Sequence, residues 1–261
     1  MNFETIHYNA EDGICQITLN RPKVFNALNK TLINEITTAI TTAGNDEKVR
    51  VVIITGGGDK AFCSGADLKD GMSGEFRPLG ETLRENYNPM ILAMRGMRKP
   101  IICKMNGVAA GAGMSLALAC DIIIADKNAY MSELFVGIGL MPDAGSMYFL
   151  PRIVGMQKTF ELCSTGRKVY MEEALQLGLV SKAVPTEQLD DAVMQLANFY
   201  KTAPTQSIGW MKQVLNQTYN SSLEQVLELE AVAQTACGFT NDFGEGVMAF
   251  IQKREPDFKG K

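Results

Sequence analysis

Histidine is nearly absent from this chain. Among 261 residues there is one, His7, in the stretch FETIHY, which reads as a first strand with no partner loop beside it. A Ser-His or Cys-His nucleophilic pair would have to be built around that single imidazole, so His7 is assigned a structural role. Metal-ligand spacing is missing as well. Six cysteines (Cys15, Cys63, Cys103, Cys120, Cys163 and Cys237) are scattered without a CxxC pair and sit mostly in apolar runs. That is the pattern of reduced core thiols in a cytosolic protein, not of a zinc site. Basic charge is scarce: the formal net charge is -4 and the isoelectric point about 5.2, which leaves no electrostatic footprint for nucleic acid. The opening MNFETIHYNAEDG carries acidic residues and no apolar core, so no secretory signal is expected. No uncharged apolar run reaches the ~18 residues of a membrane span. These absences predict a cytoplasmic protein without a metal site or a membrane partner. Its chemistry is left to carboxylates, backbone amides or a cofactor.

With 46% hydrophobic residues, the chain can bury a sizeable core. Its first half alternates strands and helices. ICQITLN (14–20) alternates apolar and polar side chains, as a strand with one buried face does. NKTLINEITTAITTAG (29–44) repeats apolar residues at helical spacing and gathers Leu32, Ile33, Ile36, Ile40 and Ala43 on one side. VRVVIITG (49–56) is a β-branched run, expected of a strand covered on both faces. A helical stretch over about 79–97, a strand at PIICKMNG, a short apolar helix at GAGMSLALAC and a strand at DIIIAD follow. From about residue 144, helix succeeds helix, interrupted by the short strand LVSKAVP (179–185). The pattern predicts an α/β core over residues 1–195 and a C-terminal helical region over 196–261. MSGEFRPLG (72–80) reads as a mobile loop.

Two loops carry dense glycine and alanine just after strands: TGGGDKAFCSGADLK (55–69) and NGVAAGAGMS (106–115). Neither has Walker spacing, and no G-x-G-x-x-G opens the first helix. Small residues let a backbone approach a ligand, and helix N-termini present unpaired N–H groups. Two such loops, each entering a helix, can aim one N–H apiece at a single oxygen, which is the geometry of an oxyanion hole. A third segment, GLMPDAGSMYFLP (139–151), sets one carboxylate, Asp143, between a proline and a small-residue turn. An Asp there either caps the helix that follows or serves as an acid/base group beside the hole. Phe135, Leu140, Met141, Met147 and Tyr148 are available as an apolar wall, whose desolvation would raise the Asp pKa from ~3.9. Tyr87 and Tyr148 suit pocket lining and packing equally, Trp210 suits packing, and Glu224, Glu228 and Glu230 suit a solvated helix face.

In combination, LNRPKVFNALN, VVIITGGGDKAFCSGADLK, KPIICKMNGVAAGAGMSLALACDIIIAD, GLMPDAGSMYFLPRIVG, ALQLGLVSKAVP and EGVMAFIQKREPDFKGK resemble the enoyl-CoA hydratase/isomerase (crotonase) family over nearly the full length. The resemblance implies an α/β, crotonase-like spiral of ββα units with a C-terminal α-helical trimerisation region. It implies a homotrimer, or a hexamer made of two trimers. It also implies an acyl-CoA substrate whose thioester carbonyl is polarised between two backbone amides, here those of Ala66 and Ala112. Coenzyme A is then part of the substrate, and no separate cofactor is expected. Ser64, Asp67, Leu68 and Lys69 occupy positions that cradle the adenine and pantetheine of CoA in the family. Phe250 and Lys253 match residues that reach the CoA of a neighbouring subunit, and Phe135 falls at the substrate pocket.

The departures from the family pattern carry the most information. Hydratases of the family position water with two glutamates. The first place holds Ser115 and the second Phe135, with Glu133 two positions away. Asp143 stands where several isomerases of the family carry their acid. GLMPDAG, the NPM segment (88–90) and EGVMAFIQKR resemble the branch of phenylacetate degradation that converts ring-1,2-epoxyphenylacetyl-CoA to oxepin-CoA and also shifts 3-enoyl-CoA double bonds to the 2-position. The expectation is an acyl-CoA isomerase with Asp143 as its one acid/base group. The alternative is an enoyl-CoA hydratase working with Glu133 or Asp143 alone.

Overall fold

The β-branched run VVIITG needs cover on both faces, and it obtains it in the middle of a six-stranded sheet. The computed structural model describes residues 3–71 and 78–261. The strands are β1 (Ile6–Glu11), β2 (Ile14–Leu19), β3 (Val51–Gly56), β4 (Ala61–Cys63), β5 (Ile101–Met105), β6 (Val108–Ala110), β7 (Ile122–Asp126), β8 (Tyr130–Ser132), β9 (Val169–Tyr170) and β10 (Lys182–Val184). The larger sheet runs β1-β2-β3-β5-β7-β10, and a smaller one runs β4-β6-β8-β9. Among the described residues only β1 with β2 and β8 with β9 pair antiparallel.

The helices are α1 (Lys30–Asn45), α2 (Leu68–Gly71), α3 (Leu79–Thr82), α4 (Asn88–Gly96), α5 (Ala112–Leu118) and α6 (Ser146–Thr165). After them come α7 (Met171–Gln176), α8 (Leu189–Thr202), α9 (Thr205–Leu215), α10 (Leu223–Gly238) and α11 (Asn241–Gln252). Each of β3, β5 and β7 sits in the large sheet, passes its chain to a neighbour in the small sheet (β4, β6, β8), and then enters helical structure. Repeating that step winds the expected ββα spiral.

Side-chain pattern explains the layers. Val52 and Ile54 face the main core with α1, while Val51 and Ile53 face a second cluster with Leu189, Val193 and Ala197 of α8. Helix α1 starts where Asn29 Oδ1 accepts the Leu32 N–H at 2.9 Å, and it buries the expected stripe with Ala39 added. Helix α8 packs on the sheet through Leu189, Val193 and Ala197, on both sides of the expected boundary at residue 195. The first strand begins at Ile6 rather than Phe3, and His7 on it is exposed. All six cysteines are free thiols, five of them buried. No helix among the described residues is long and apolar enough to cross a membrane. Most of the expected loop MSGEFRPLG lies outside the described residues.

The outer helices are clamped to this core by buried charge. Lys212 of α9 is 6% exposed, and its Nζ donates to Asp121 Oδ2 at 2.7 Å and to the Met94 carbonyl at 2.9 Å. Arg95 holds the other Asp121 oxygen at 2.8 Å and reaches Asn216 Oδ1 at 2.6 Å. The Ile101 N–H donates to Asp121 Oδ2 at 2.8 Å. Close beside this cluster, a Cβ on Gly209 would lie 2.4 Å from the Arg98 carbonyl oxygen, so only glycine lets α9 settle there. The Arg98 guanidinium stacks 3.9 Å from the Trp210 ring centroid, the packing role expected of the single tryptophan.

Removing one member of such a cluster strands the others in low dielectric. Asp121→Ala is expected to cost about 3 kcal/mol of unfolding free energy, read from urea denaturation. A variant as stable as the wild type would show that the cluster holds nothing together.

Candidate active site

The two glycine-rich loops meet. The Leu28 N–H donates to the Gly65 carbonyl at 2.7 Å, and the Asp67 N–H donates to the Leu28 carbonyl at 2.9 Å. That parallel bridge uses the residues on either side of Ala66, which turns the N–H of Ala66 itself to the opposite side of the chain. On that side lies the start of α5. A Cβ on Gly65 (φ +97°) would stand 2.8 Å from the Ala110 carbonyl oxygen and 3.4 Å from the Ala112 nitrogen. A Cβ on Gly113 would stand 2.2 Å from the Cys63 carbonyl oxygen. Ala112 is the first residue of α5, so its N–H has no helical partner. The loop that carries Ala66 therefore packs directly against the N-terminus of α5, where Ala112 has its N–H. The Phe135 ring closes one side: it lies 3.8 Å from where a Gly111 Cβ would be.

Asp143 is tied to the same helix. Its carbonyl accepts the Ser115 hydroxyl at 2.9 Å and the Ser146 N–H at 3.1 Å. Ser115 is three residues, or about 4.5 Å of helical rise, beyond Ala112. The N-cap of α6 is Gly145, without a side-chain cap bond, so the capping role open to Asp143 is not taken. Instead Asp143 Oδ1 is sealed from solvent with no hydrogen-bond partner. Burial pushes the carboxyl up to about 6. The turn that aims it is strained, with Ala144 at φ +48° followed by Gly145 at φ +92°.

The apolar wall differs from expectation. Phe135 is buried, but Leu140, Met141, Met147 and Tyr148 are all exposed, Met141 to 67%. They follow a 3-10 turn (Leu134–Ile138) whose outer side faces solvent in the single chain. Tyr148 is engaged elsewhere, its hydroxyl donating to the Asn216 carbonyl at 3.1 Å under the Arg152 guanidinium. Tyr87 is buried in the main core. The expected wall is therefore not formed by these four residues in the single chain, although the Asp143 carboxyl is desolvated by burial.

A second acid lies beneath the site. Glu133 is 1% exposed, and its Oε1 lies 2.7 Å from Ser146 Oγ. Ser146 Oγ in turn lies 2.7 Å from Ser115 Oγ. Glu133 Oε2 is buried without a partner. Burial, opposed by the Ser146 hydrogen bond and aided by the Asp143 charge, pushes this carboxyl up to about 8. The sequence signal was present, an acid two places from Phe135 with a serine at each of two nearby turns, but alternation alone does not tell a buried acid from an exposed one.

The expected CoA-cradling residues divide by exposure. Leu68 and Lys69 are exposed on the short helix after Ala66. Asp67 is held by Arg21 at 2.8 Å and receives the Lys69 N–H at 3.2 Å, which stiffens that corner. Ser64 reaches the Val24 carbonyl at 3.4 Å. Arg21 and the buried Asn26 were not singled out from sequence. Asn26 donates to the Gly57 and Ala61 carbonyls at 3.0 and 2.9 Å, bracing the first glycine loop. Phe250 and Lys253 belong to the C-terminal layer: Phe250 is 85% exposed and lines a groove of about 830 Å³ between α9, α10 and α11, and Lys253 ends α11. Among the described residues no cluster of His, Cys, Asp or Glu is arranged to hold a metal.

The spiral of ββα turns sets two glycine-rich corners against each other and ties a desolvated carboxyl to the helix that starts at one of them. A family model described as enoyl-CoA hydratase/isomerase matches residues 9–261, so the chain belongs to that family and acts on acyl-CoA. It is 39% identical to a protein named "Probable enoyl-CoA hydratase" from Rhodobacter capsulatus over 100% of both chains. It is 36% identical to the 1,2-epoxyphenylacetyl-CoA isomerase of Escherichia coli K12 over 99% of both. The solved enoyl-CoA hydratase of Bacillus anthracis superposes with a TM-score of 0.91 at 31% identity, covering 99% of this chain and 100% of that one.

Alanine for glycine inside a helix ordinarily stabilises by ~1 kcal/mol. Gly113→Ala should do the opposite, destabilising by about 2 kcal/mol because its Cβ meets backbone that cannot yield. Thermal denaturation checks this, and a raised midpoint would contradict the close approach of the two loops.

Proposed function

We propose that the protein is an acyl-CoA isomerase that moves a double bond, or rearranges a ring epoxide, through a thioester enolate. The observation that carries this is the sealed, unpartnered Asp143 oxygen, on a residue whose peptide carbonyl is bonded to Ser115, one turn along α5 from Ala112. The Ala66 and Ala112 N–H groups would hold the thioester oxygen and take up the negative charge that develops there, each lowering the barrier by roughly 3 kcal/mol. With a 3-enoyl-CoA, the Asp143 carboxylate takes a proton from C2. The electron pair delocalises into the dienolate, and the same carboxyl returns the proton to C4, leaving the 2-enoyl thioester. One group suffices because removal and return are successive.

Two-carboxylate hydration is disfavoured because Ser115 and Phe135 stand in both expected places, and Glu133 is closed off from any water in the site. The several relatives named hydratases keep that second reading in play, and the ring-epoxide substrate is favoured only by the similarity to the Escherichia coli isomerase. Ser64, Asp67, Leu68 and Lys69 lie at the corner where the CoA portion would enter, with coenzyme A as part of the substrate and no separate cofactor. The open apolar groove of the C-terminal helices suits assembly as a trimer or a hexamer, with Phe250 and Lys253 reaching toward a neighbour's CoA.

Asp143→Asn is expected to lower kcat on trans-3-hexenoyl-CoA by about a thousandfold while leaving the Kd of the thioester nearly unchanged. For the wild type, kcat/KM should fall tenfold per pH unit below about 6, because the base must be ionised and its carboxyl titrates there. A parallel assay for water addition to crotonyl-CoA, followed at the enone absorbance, separates the readings. Hydration faster than isomerisation would overturn the proposal.

A further inference from the structure

Three oxygen–oxygen contacts connect Glu133 to Asp143. They are Glu133 Oε1 to Ser146 Oγ at 2.7 Å, Ser146 Oγ to Ser115 Oγ at 2.7 Å, and Ser115 Oγ to the Asp143 carbonyl at 2.9 Å. Each distance is that of an O–H···O hydrogen bond and needs one proton between its two oxygens. The two serine hydroxyls supply two protons, and the Asp143 carbonyl supplies none. If Glu133 were ionised, Ser146 would donate to it and Ser115 would have to choose. Either the contact between the serines or the contact to Asp143 would be left as two bare oxygens facing each other. With a proton on Glu133, all three contacts are filled in one direction, from the acid through Ser146 and Ser115 to the Asp143 carbonyl. The orphaned Glu133 Oε2 agrees: a neutral carbonyl oxygen without a donor is far cheaper to bury than half of a carboxylate charge.

We infer that Glu133 is a positioning residue whose proton holds Asp143 in place. The Asp143 peptide starts a turn through two left-handed residues, and its carbonyl is fixed by the Ser115 hydroxyl and the Ser146 N–H. Once Glu133 loses its proton, Ser146 turns to the new carboxylate, Ser115 turns to Ser146, and one of the two anchors on the Asp143 peptide is released. The titratable groups acting on Glu133 are Asp143, whose charge favours the protonated form, and Cys163 of α6, itself pushed up to about 11 by burial and by Glu133. No cation acts on it among the described residues. Burial puts the Glu133 carboxyl at about 8, so the proton is held at neutral pH and lost on the alkaline side.

This inference rests on Asp143 as the acid/base group, and its test has one arm that does not. Infrared spectra of the wild type at about pH 7 should show the C=O stretch of a protonated carboxylic acid, which Glu133→Gln removes. Absence of that band in the wild type overturns the inference, whether or not the enzyme isomerises anything. In kinetics on trans-3-hexenoyl-CoA, wild-type kcat should fall about tenfold for each pH unit above roughly 8, with KM nearly constant. Glu133→Leu should lower kcat about a hundredfold through misplacement of Asp143. Glu133→Gln, whose amide N–H can donate to Ser146 as the acid does, should recover it to within about fivefold and lose the alkaline decline. An alkaline decline that survives in Glu133→Gln, or a glutamine variant as weak as the leucine one, rejects the positioning role while leaving Asp143 untouched.

Discussion

The whole site depends on one backbone-on-backbone contact, between the end of β4 and the first turn of α5. Gly113 leaves no room for any side chain against the Cys63 carbonyl, and Gly65 presses on the Ala110 carbonyl in a left-handed conformation. Hydrophobic packing alone would hold these segments a side chain apart. Glycine removes that spacer and brings an edge N–H from one loop next to a helix N-terminus from another. In the proposed reaction neither donor would belong to a side chain, so no rotamer would have to be frozen on binding.

Around this frame the protein tolerates unfavourable electrostatics. Two carboxyl groups, Asp143 and Glu133, are buried close enough to act on each other, and both titrate well above the ordinary carboxylate range. Ala144 occupies a left-handed conformation that costs ~1–2 kcal/mol for a residue with a Cβ. Unpartnered polar atoms and backbone strain concentrated in one short segment are characteristic of a functional site whose energy is supplied by the rest of the fold. Here the supply is visible in the main core and in α8 behind the sheet.

Much of this was legible in the residues. The stripe on α1 and the doubly covered β3 follow from period and composition, the meeting of the two glycine loops from their small residues, and the family motifs supplied the rest of the outline. What was not legible depends on tertiary neighbours. Leu140, Met141, Met147 and Tyr148 looked like a wall because they are apolar, yet the segment after the 3-10 turn and the first turn of α6 leave them all exposed. Glu133 looked like a misplaced hydratase acid, and only the meeting of α5 with the start of α6 gives it Ser146 and Ser115 as neighbours. Arg21 and Asn26 drew no notice because bracing a loop leaves no periodic trace.

Lys212 has a consequence beyond stability. Its ammonium is fixed by Asp121 just before β7 and by a carbonyl at the end of α4, so α9 is indexed to the sheet in both angle and depth. The groove walls on α9 inherit that indexing. Any body that seats against those walls is thereby oriented relative to the glycine-rich loops by a rigid lever, not by a tether.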